Sequence, residues 1–300
     1  GDSNAISFDP TTANSFLMAW EGYGPSGVYL KIGTISGTSI SFGSQVTITT
    51  AGSTESVSVK YNPNTTTGVF IVQYQQSSGQ KIAVCSRSGS SITIGTTYSL
   101  TSGQAVQGAI EFDPNISGNG KFITAYKDGS NIGKSVVGQL AATALVPNVA
   151  DFVGITAEAI TSGATGVVVP QGGVAASVAN TPLLQVYGSE AAANSSNGLY
   201  VNTSYDPNNA NKFVVVWSDN GNSDHGKAVV GTVSGTSISY GTAVTWNAAA
   251  TGYVSNCAFD PNTNNKFVIA FQDDSNSGQG TAILGTISGT SLSFGSKYVF

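Results

Sequence analysis

Short, mostly apolar runs of five residues recur along this chain, and each is followed by a stretch in which polar and apolar residues alternate. The runs are Phe16–Trp20, Phe70–Tyr74, Phe122–Tyr126, Phe213–Trp217 and Phe267–Phe271. An apolar run of this length is typical of a β-strand buried on both faces, whereas alternation is typical of a strand with one exposed face. The pattern therefore predicts an all-β protein.

Each apolar run lies within a longer unit that predicts four strands. The first unit spans 5–49 and the last spans 254–300, and both contain Gly-Thr-Ile-Ser-Gly-Thr-Ser. The first strand of a unit ends at an aromatic residue followed by Asp-Pro or Asn-Pro, a step that favours a turn. The apolar run is the second strand. In the first unit, the third strand is predicted over 28–35 and the fourth from Ser39–Phe42 onward.

The Asp-Pro or Asn-Pro step measures the length of the repeat. Successive steps are 53, 51, 93 and 54 residues apart, and they begin at Asp9, Asn62, Asp113, Asp206 and Asp260. Three intervals agree on a period of about 52 residues, and the fourth exceeds it by about 41. The repeat pattern runs normally to Gly138 and resumes at Leu183, so the excess is an insertion over about 141–182.

Repeats of this length with four antiparallel strands are typical of propeller blades. The 40 residues from Asp260 to Phe300 and the nine that end at Asp9 together complete one further period. The sequence therefore predicts a five-bladed β-propeller in which the first repeat meets the last. A small β module is inserted in the third blade. The predicted segments are 1–140, the inserted module 141–182, and 183–300, with the first and third forming one propeller.

Charge and cysteine content exclude some classes of function. The chain has 11 Lys and Arg against 16 Asp and Glu, a net charge of -5, and this argues against nucleic acid as a partner. No run approaches the length of a membrane span. Cys85 and Cys257 lie at non-equivalent positions in different repeats, and we interpret both as buried thiols.

The unit FDPNTNNKFVIAFQDDSNSGQGTAILGTISGTSLSFGS resembles repeats in tail-fibre and appendage proteins of tailed bacteriophages, especially marine ones. The stretch FVGITAEAITSGATGVVVPQGGV within 141–182 is similar to a small β module that accompanies such repeats. The resemblance implies a location on the virion surface or outside the cell, and a role in host attachment. It implies no defined binding site.

The loops after the second strand vary between repeats and supply the candidate binding residues. Three of these loops are rich in Asp and Asn, whose oxygens can bind a cation or a glycan, but the same residues also form ordinary Asx turns. The candidate ligand-binding residues are Trp20, Glu21, Tyr23, Asp128, Asp219, His225, Asp273 and Asp274. No metal site and no cofactor are expected.

An aromatic residue ends the apolar run in every repeat. The five are Trp20, Tyr74, Tyr126, Trp217 and Phe271. Two Trp in similar places suggest sugar stacking. However, a position filled in the same way five times favours packing between blades.

Catalysis has weak support in the sequence. His225 is the one histidine, and no Gly-x-Ser-x-Gly step accompanies it. A propeller glycosidase would need two carboxylates in unlike environments. The recurring acids instead precede proline in nearly every repeat, which favours turn capping.

These observations predict a non-catalytic surface protein that binds a host glycan or receptor, or mediates appendage assembly with other virion subunits. The alternatives are a purely structural virion or filament protein and a propeller glycosidase. A glycan array separates the first two, because only a receptor-binding protein gives specific binding that loop substitutions abolish. Release of reducing sugar would identify the glycosidase.

The insertion predicts a subunit contact, in a homo-oligomer that we expect to be a trimer or with another virion protein. Between 141 and 182 the residues are almost all Ala, Val, Gly, Thr and Ser, with Asp151 and Glu158 as the acids. An exposed apolar β module favours aggregation unless a partner covers it. The alternative is a loop domain packed on its own propeller. We expect deletion of 141–182 to convert an oligomer to a monodisperse monomer in light scattering, and an unchanged oligomer would contradict this contact.

Overall fold

A computed structural model describes residues 3–23, 26–50, 56–63, 68–76, 79–100, 105–115, 120–140, 154–156, 168–170, 184–195 and 197–300. The chain folds as two compact units, one of 1–142 with 182–300 and one of 143–181. In the described part of the second unit, β13 (Gly154–Thr156) pairs antiparallel with β14 (Val168–Pro170). The rest of the predicted insertion lies outside the described residues.

The larger unit consists of antiparallel sheets that follow the repeats, which confirms the all-β prediction. In the first sheet, β1, β2 and β3 pair in order, and β4 and β5 both pair with β3. The second sheet has the order β6-β7-β8-β9. The strands of these two sheets are β1 (Asn4–Phe8), β2 (Ser15–Tyr23), β3 (Ser26–Ser36), β4 (Ser39–Phe42), β5 (Val46–Thr49), β6 (Val57–Tyr61), β7 (Val69–Gln76), β8 (Gly79–Ser88) and β9 (Ser91–Ser99).

The third sheet has the order β10-β11-β12-β15, with β16 also paired to β12. Its last two strands follow the insertion in sequence, as the repeat pattern requires. The strands are β10 (Ala105–Phe112), β11 (Lys121–Asp128), β12 (Gly133–Leu140), β15 (Leu184–Tyr187) and β16 (Ala191–Ala192).

The fourth and fifth sheets share one long strand, β21, and together form an eight-stranded sheet. The first half of β21 pairs with β19, and its second half pairs with β22 as the first strand of the fifth repeat. The strands are β17 (Gly198–Tyr205), β18 (Lys212–Asp219), β19 (His225–Ser234), β20 (Ser237–Tyr240), β21 (Val244–Phe259), β22 (Lys266–Asp273), β23 (Gln279–Ser288) and β24 (Ser291–Val299). Two 3-10 turns, Asn220–Asn222 and Asp274–Asn276, are the helical segments of the described chain.

Successive sheets pack face to face through apolar clusters. In the contact between the first two sheets, Leu17 and Leu30 pack with Val59 and Phe70. Equivalent clusters join the second sheet to the third, the third to the fourth and the fourth to the fifth. In the three middle sheets the apolar run is buried on both faces for this reason, since alternate residues contact the preceding and the following sheet.

In four of the five repeats, the aromatic that begins the apolar run packs over a glycine of the neighbouring strand. A methyl group at Gly33, Gly138, Gly231 or Gly285 would overlap the ring of Phe16, Phe122, Phe213 or Phe267. In the second repeat, Cys85 occupies the equivalent place opposite Phe70. Cys85 and Cys257 are both buried free thiols, as the sequence predicts.

The predicted contact between the first and last repeats is not formed among the described residues. No buried cluster of the described chain combines residues of these two sheets, and the faces that would meet carry exposed apolar side chains such as Phe8 and Val268. The sheets therefore stack in chain order without closing.

We expect Gly231→Ala to destabilise the fold, because the new methyl group displaces the fully buried ring of Phe213. Overpacking of a core typically costs about 1–3 kcal/mol. Gly295→Ala is the matched control, since its methyl group would approach other atoms at ordinary distances of 3.8 Å or more. Urea unfolding measures both variants, and equal stability would contradict this account of the glycine.

Candidate functional site

The loops that follow the second strands of the fourth and fifth sheets have the same backbone. Each forms a 3-10 turn and then a residue in the left-handed conformation, Ser223 with a φ of 55° and Ser277 with a φ of 57°. Side-chain amides fix the acids within them: Asn220 Nδ2 donates to Asp224 Oδ1 at 2.8 Å, and Gln272 Nε2 donates to Asp274 Oδ1 at 2.8 Å. These loops therefore present ordered carboxylates.

Two tyrosine rings pack against each other at a tilted angle beside these loops. The ring centroids of Tyr200 and Tyr253 are 4.6 Å apart, with 50° between the ring planes. Tyr253 is 58% exposed, although it contacts a neighbouring aromatic ring. Large apolar side chains this exposed are a feature of binding surfaces when they are grouped with polar residues.

Irregular strand pairing at β-bulges determines where the rings of Tyr200 and Tyr253 lie. The pairing of β17 with β18 shifts between Leu199 and Asn202, and the pairing of β21 with β22 shifts between Thr251 and Val254. An extra residue in a strand redirects the side chain that it carries, and bulges are frequent next to functional sites. Tyr200 also has a φ of 53°, in the left-handed region, which costs about 1–3 kcal/mol for a residue with a side chain.

The carboxylate of Asp274 approaches the bulge of β21 closely. A Cβ atom at Gly252 would lie 2.6 Å from Asp274 Oδ1, so a side chain at this position would displace the carboxylate. Gly252 directly precedes Tyr253 in the chain. The bulge therefore brings an acid and an exposed ring to the same place.

Electrostatics join the tyrosines and the acids into one group. Burial raises the pKa of Tyr200, and the neighbouring Tyr253, Asp224 and Asp274 raise this pKa further. We call these four residues the tyrosine–aspartate cluster. It offers an exposed aromatic ring beside two carboxylates.

The candidates Asp219 and Asp273 lie beneath the two loops and are buried. Asp273 Oδ2 accepts from Lys297 Nζ at 2.7 Å, and Asp273 Oδ1 accepts from the Ser275 hydroxyl. Lys297 also donates to Asn247 Oδ1 at 3.2 Å. Asp273 therefore supports the loop from below, and its neighbour Asp274 is the exposed acid.

His225 begins β19, where it pairs with Asp219. Its Nδ1 lies 3.2 Å from Asn222 Nδ2, and the ring is half-buried. The structure thus places these four candidates at the loops of two neighbouring sheets. Asp219 and His225 lie in the fourth sheet, and Asp273 and Asp274 lie in the fifth.

The remaining candidates belong to other sheets. Trp20 stacks on Tyr29 in the first sheet, with ring centroids 5.8 Å apart, and Glu21 is half-buried beside it in β2. The side chain of Tyr23 lies outside the described residues. In the third sheet, Asp128 Oδ1 accepts from the amides of Ser130 and Ile132 at 2.9 Å each, which is an Asx turn.

Packing explains the aromatic residue that ends each apolar run. Tyr74, Tyr126, Trp217 and Phe271 are buried between sheets, as the sequence predicts. Trp20 is half-buried, because it belongs to the first sheet and faces away from the second.

The recurring acids cap turns, as the sequence also predicts. Asp9, Asp113, Asp206 and Asp260 each accept from the backbone amide two residues later, at 2.7, 2.9, 2.9 and 2.8 Å. Among the described residues, no three His, Cys, Asp or Glu side chains are grouped so that they could bind a metal ion. The same residues include no helix long and apolar enough to cross a membrane.

The sequence prediction missed Tyr200, Tyr253 and Asp224. One signal was present: a Tyr-Val step begins six or seven residues before the Asp-Pro step of two neighbouring repeats, at 200–201 and 253–254, and not at that place in the others. An aromatic that only some repeats contain is not required for packing. Its contact with the next repeat depends on the bulges, which the sequence does not reveal.

Comparisons with known proteins support the architecture. No family model and no curated protein matches the chain. A crystal structure of a candidate 6-phosphogluconolactonase from Bacteroides uniformis is 7% identical, with a TM-score of 0.59 over 98% of this chain and 70% of that one. A functionally unknown protein from Desulfotomaculum acetoxidans is 11% identical, with a TM-score of 0.56 over 98% and 69%.

A third similar structure is Sqt1 from Chaetomium thermophilum, solved with the N-terminus of ribosomal protein L10. It is 9% identical, with a TM-score of 0.51 over 95% of this chain and 72% of that one. At these identities the likeness concerns the fold alone. The chain has a β-propeller-type fold of antiparallel sheets.

Lowering the pH should reduce the stability of the fold, in part because Asp273 becomes protonated. Burial opposes ionisation of this carboxyl, but hydrogen bonds from Lys297 and Ser275 outweigh it and lower the pKa of Asp273. A lowered pKa in the folded state contributes stability above the unfolded pKa of about 3.9, and this contribution is lost as pH falls through the folded pKa. We expect Asp273→Asn to lose less unfolding free energy than the parent protein between about pH 5 and pH 2.

Glu21→Gln is the control for Asp273→Asn, since it removes a carboxylate from a different sheet. Unfolding by urea at several pH values measures all three proteins. If the unfolding free energy of Asp273→Asn depends on pH in the same way as that of the parent protein, the ion pair of Asp273 with Lys297 does not contribute to the pH dependence of stability.

Proposed function

We propose that this protein is a non-catalytic surface protein that recognises glycans through the tyrosine–aspartate cluster. The observation that carries the proposal is the exposed ring of Tyr253, which packs at a tilted angle against Tyr200 and is flanked by Asp224 and Asp274. The C–H face of a sugar packs against a flat aromatic ring, and its hydroxyl groups donate to carboxylates. The cluster supplies both kinds of contact on an ordered loop.

The environments of the two acids favour binding over catalysis. A glycosidase needs one carboxyl group kept protonated and one ionised, and these states require unlike surroundings. Asp224 and Asp274 instead share one kind of setting, since each lies on a loop with the same 3-10 turn and accepts from one side-chain amide, although they occupy different positions in the loop. The glycosidase alternative would be identified by release of reducing sugar from host polysaccharide.

Attachment to a host from the virion surface is the biological role that we propose for this recognition. It rests on the resemblance of the repeat unit to those of phage tail fibres and appendages. A weak sugar site becomes effective when many copies act together, as they do on a virion. The competing role is that of a structural virion protein without a receptor. The absence of binding to any sugar on a glycan array would favour this role.

The five repeats supply the scaffold for this site, and we propose that each forms one blade of a five-bladed propeller-type structure. Support comes from the repeat period, which the described sheets follow, and from the apolar contact between each pair of successive sheets. The cluster lies where the fourth and fifth repeats adjoin. Loops between neighbouring blades can vary without disturbing the packed strands.

We expect Tyr253→Ala to abolish binding on an array of bacterial surface glycans, because it removes the exposed stacking surface. Base–aromatic stacking, a comparable ring contact, contributes about 1–3 kcal/mol, which corresponds to a loss of roughly 5- to 150-fold in affinity. Calorimetry with the sugar that the array identifies measures the loss.

Two substitutions of Tyr253 act as matched controls. Tyr253→Phe keeps the planar ring and should retain most of the affinity, whereas Tyr253→Leu is apolar but not planar and should lose it. Equal binding by the Leu variant and the parent protein would show that stacking on this ring is not the source of recognition.

A further inference from the structure

The last sheet exposes apolar positions that every other sheet buries. Val268 is 44% exposed and Leu284 is 41% exposed, and the strand register places both on one face together with Tyr298. The residues equivalent to Val268 are Leu17, Ile71, Ile123 and Val214, and those equivalent to Leu284 are Ile32, Val84, Val137 and Val230; all eight are buried against the following sheet. We call the face with Val268, Leu284 and Tyr298 the C-terminal face.

The first sheet is exposed on the opposite side. Phe8 is 64% exposed and Ile6 is 57% exposed, and Ile40 and Phe42 lie exposed on the same face. At the positions of Phe8 and Ile6, the second, third and fourth sheets bury Tyr61, Phe112, Tyr205, Val59, Ile110 and Thr203 against the preceding sheet. We call the face with Ile6, Phe8, Ile40 and Phe42 the N-terminal face.

The four internal contacts show what each kind of face binds. In all of them, the face equivalent to the C-terminal face packs against the face equivalent to the N-terminal face of the next sheet. Neither kind packs against its own kind. The two exposed faces are therefore complementary halves of a contact that this chain already makes four times.

We propose that a second copy of this chain binds here, with its N-terminal face packed on the C-terminal face of the first copy. Such a contact is head to tail, since two different surfaces meet, and it leaves one face of each kind free for further copies. It continues the internal stacking of sheets from one molecule to the next. This inference does not depend on the proposed glycan site.

Polar groups fit the same arrangement. Asn115 Nδ2 donates to the carbonyl of Asp206 in the next sheet at 2.8 Å, and Asn208 Nδ2 donates to the carbonyl of Asp260 at 3.3 Å. Asn262 holds the equivalent place on the fifth sheet and is exposed. In a head-to-tail pair, it faces the Asp9 carbonyl of the second copy, which is the equivalent acceptor.

Charge does not oppose the contact. Besides Val268, Leu284 and Tyr298, the register places Asn256, Ala258, Ala270, Ala282 and Lys266 on the C-terminal face, and Lys266 Nζ donates to Thr286 Oγ1 at 3.1 Å. Lys31 is the charged side chain that it places on the N-terminal face of the described first sheet. Each face therefore carries one of these lysines. The fourth sheet already accommodates the equivalent of Lys266 at such a contact, because Lys212 Nζ donates to the Gly289 carbonyl of the fifth sheet at 2.9 Å.

Sedimentation velocity of the full chain over a concentration series tests the proposal, with two variants that each disable one face. Phe8→Asp introduces a charge on the N-terminal face, and Leu284→Asp introduces one on the C-terminal face. Because both residues are already exposed, we expect both variants to keep the parent's circular dichroism and to unfold cooperatively. Ser239→Asp, at an exposed site on neither face, is the control.

We expect the parent and Ser239→Asp to sediment faster as concentration rises, and each face variant alone to sediment at a rate that does not change with concentration. An equimolar mixture of the two face variants should form a heterodimer, since each provides the face that the other lacks. A parent that is monomeric at every concentration would overturn the proposal. A face variant that associates with itself as strongly as the parent would also overturn it, because the contact would then not be head to tail.

Discussion

Face-to-face packing of one β-sheet on the next is the constraint on which the rest of this structure depends. The second strand of each repeat has apolar side chains on both sides, as Phe213 and Val214 show, and neither side can be buried within a single sheet. Each repeat therefore depends on its neighbours. The two sides differ, with aromatic rings toward the preceding sheet and aliphatic side chains toward the following one, and this difference gives the stack a direction.

Buried polar groups reinforce that direction. The acid that caps the turn after the first strand is buried at Asp9, Asp113 and Asp206, and it is held by backbone amides rather than by solvent. In two successive contacts, an asparagine of that turn donates to the next sheet. A chain with only 9% charged residues thus uses amides and backbone groups where other proteins use ion pairs, and Asp9 with Arg87 at 3.0 Å is one of few exceptions.

Repetition made much of the fold predictable from sequence. Five copies of one pattern fix the strand order, and a residue type shared by all copies, such as the aromatic at Tyr74 and Trp217, is assigned to packing with little ambiguity. Contact between the first and last sheets was not predictable in this way, since a repeat pattern specifies neighbours and not the angle between them. For the site, Asp274 was predicted, but the partners of Tyr253 depend on irregular strand pairing. The burial that separates Asp273 from Asp274 also depends on tertiary structure.

The strand β21 has a consequence for how this molecule opens. Its 16 residues run without interruption from the edge of the fourth sheet to the start of the fifth, whereas separate strands joined by other segments connect the earlier sheets. Local unfolding follows cooperative units of backbone hydrogen bonding. The last two sheets should therefore exchange their amide hydrogens together, as a single unit, and a ligand held at the middle of β21 would slow exchange in both.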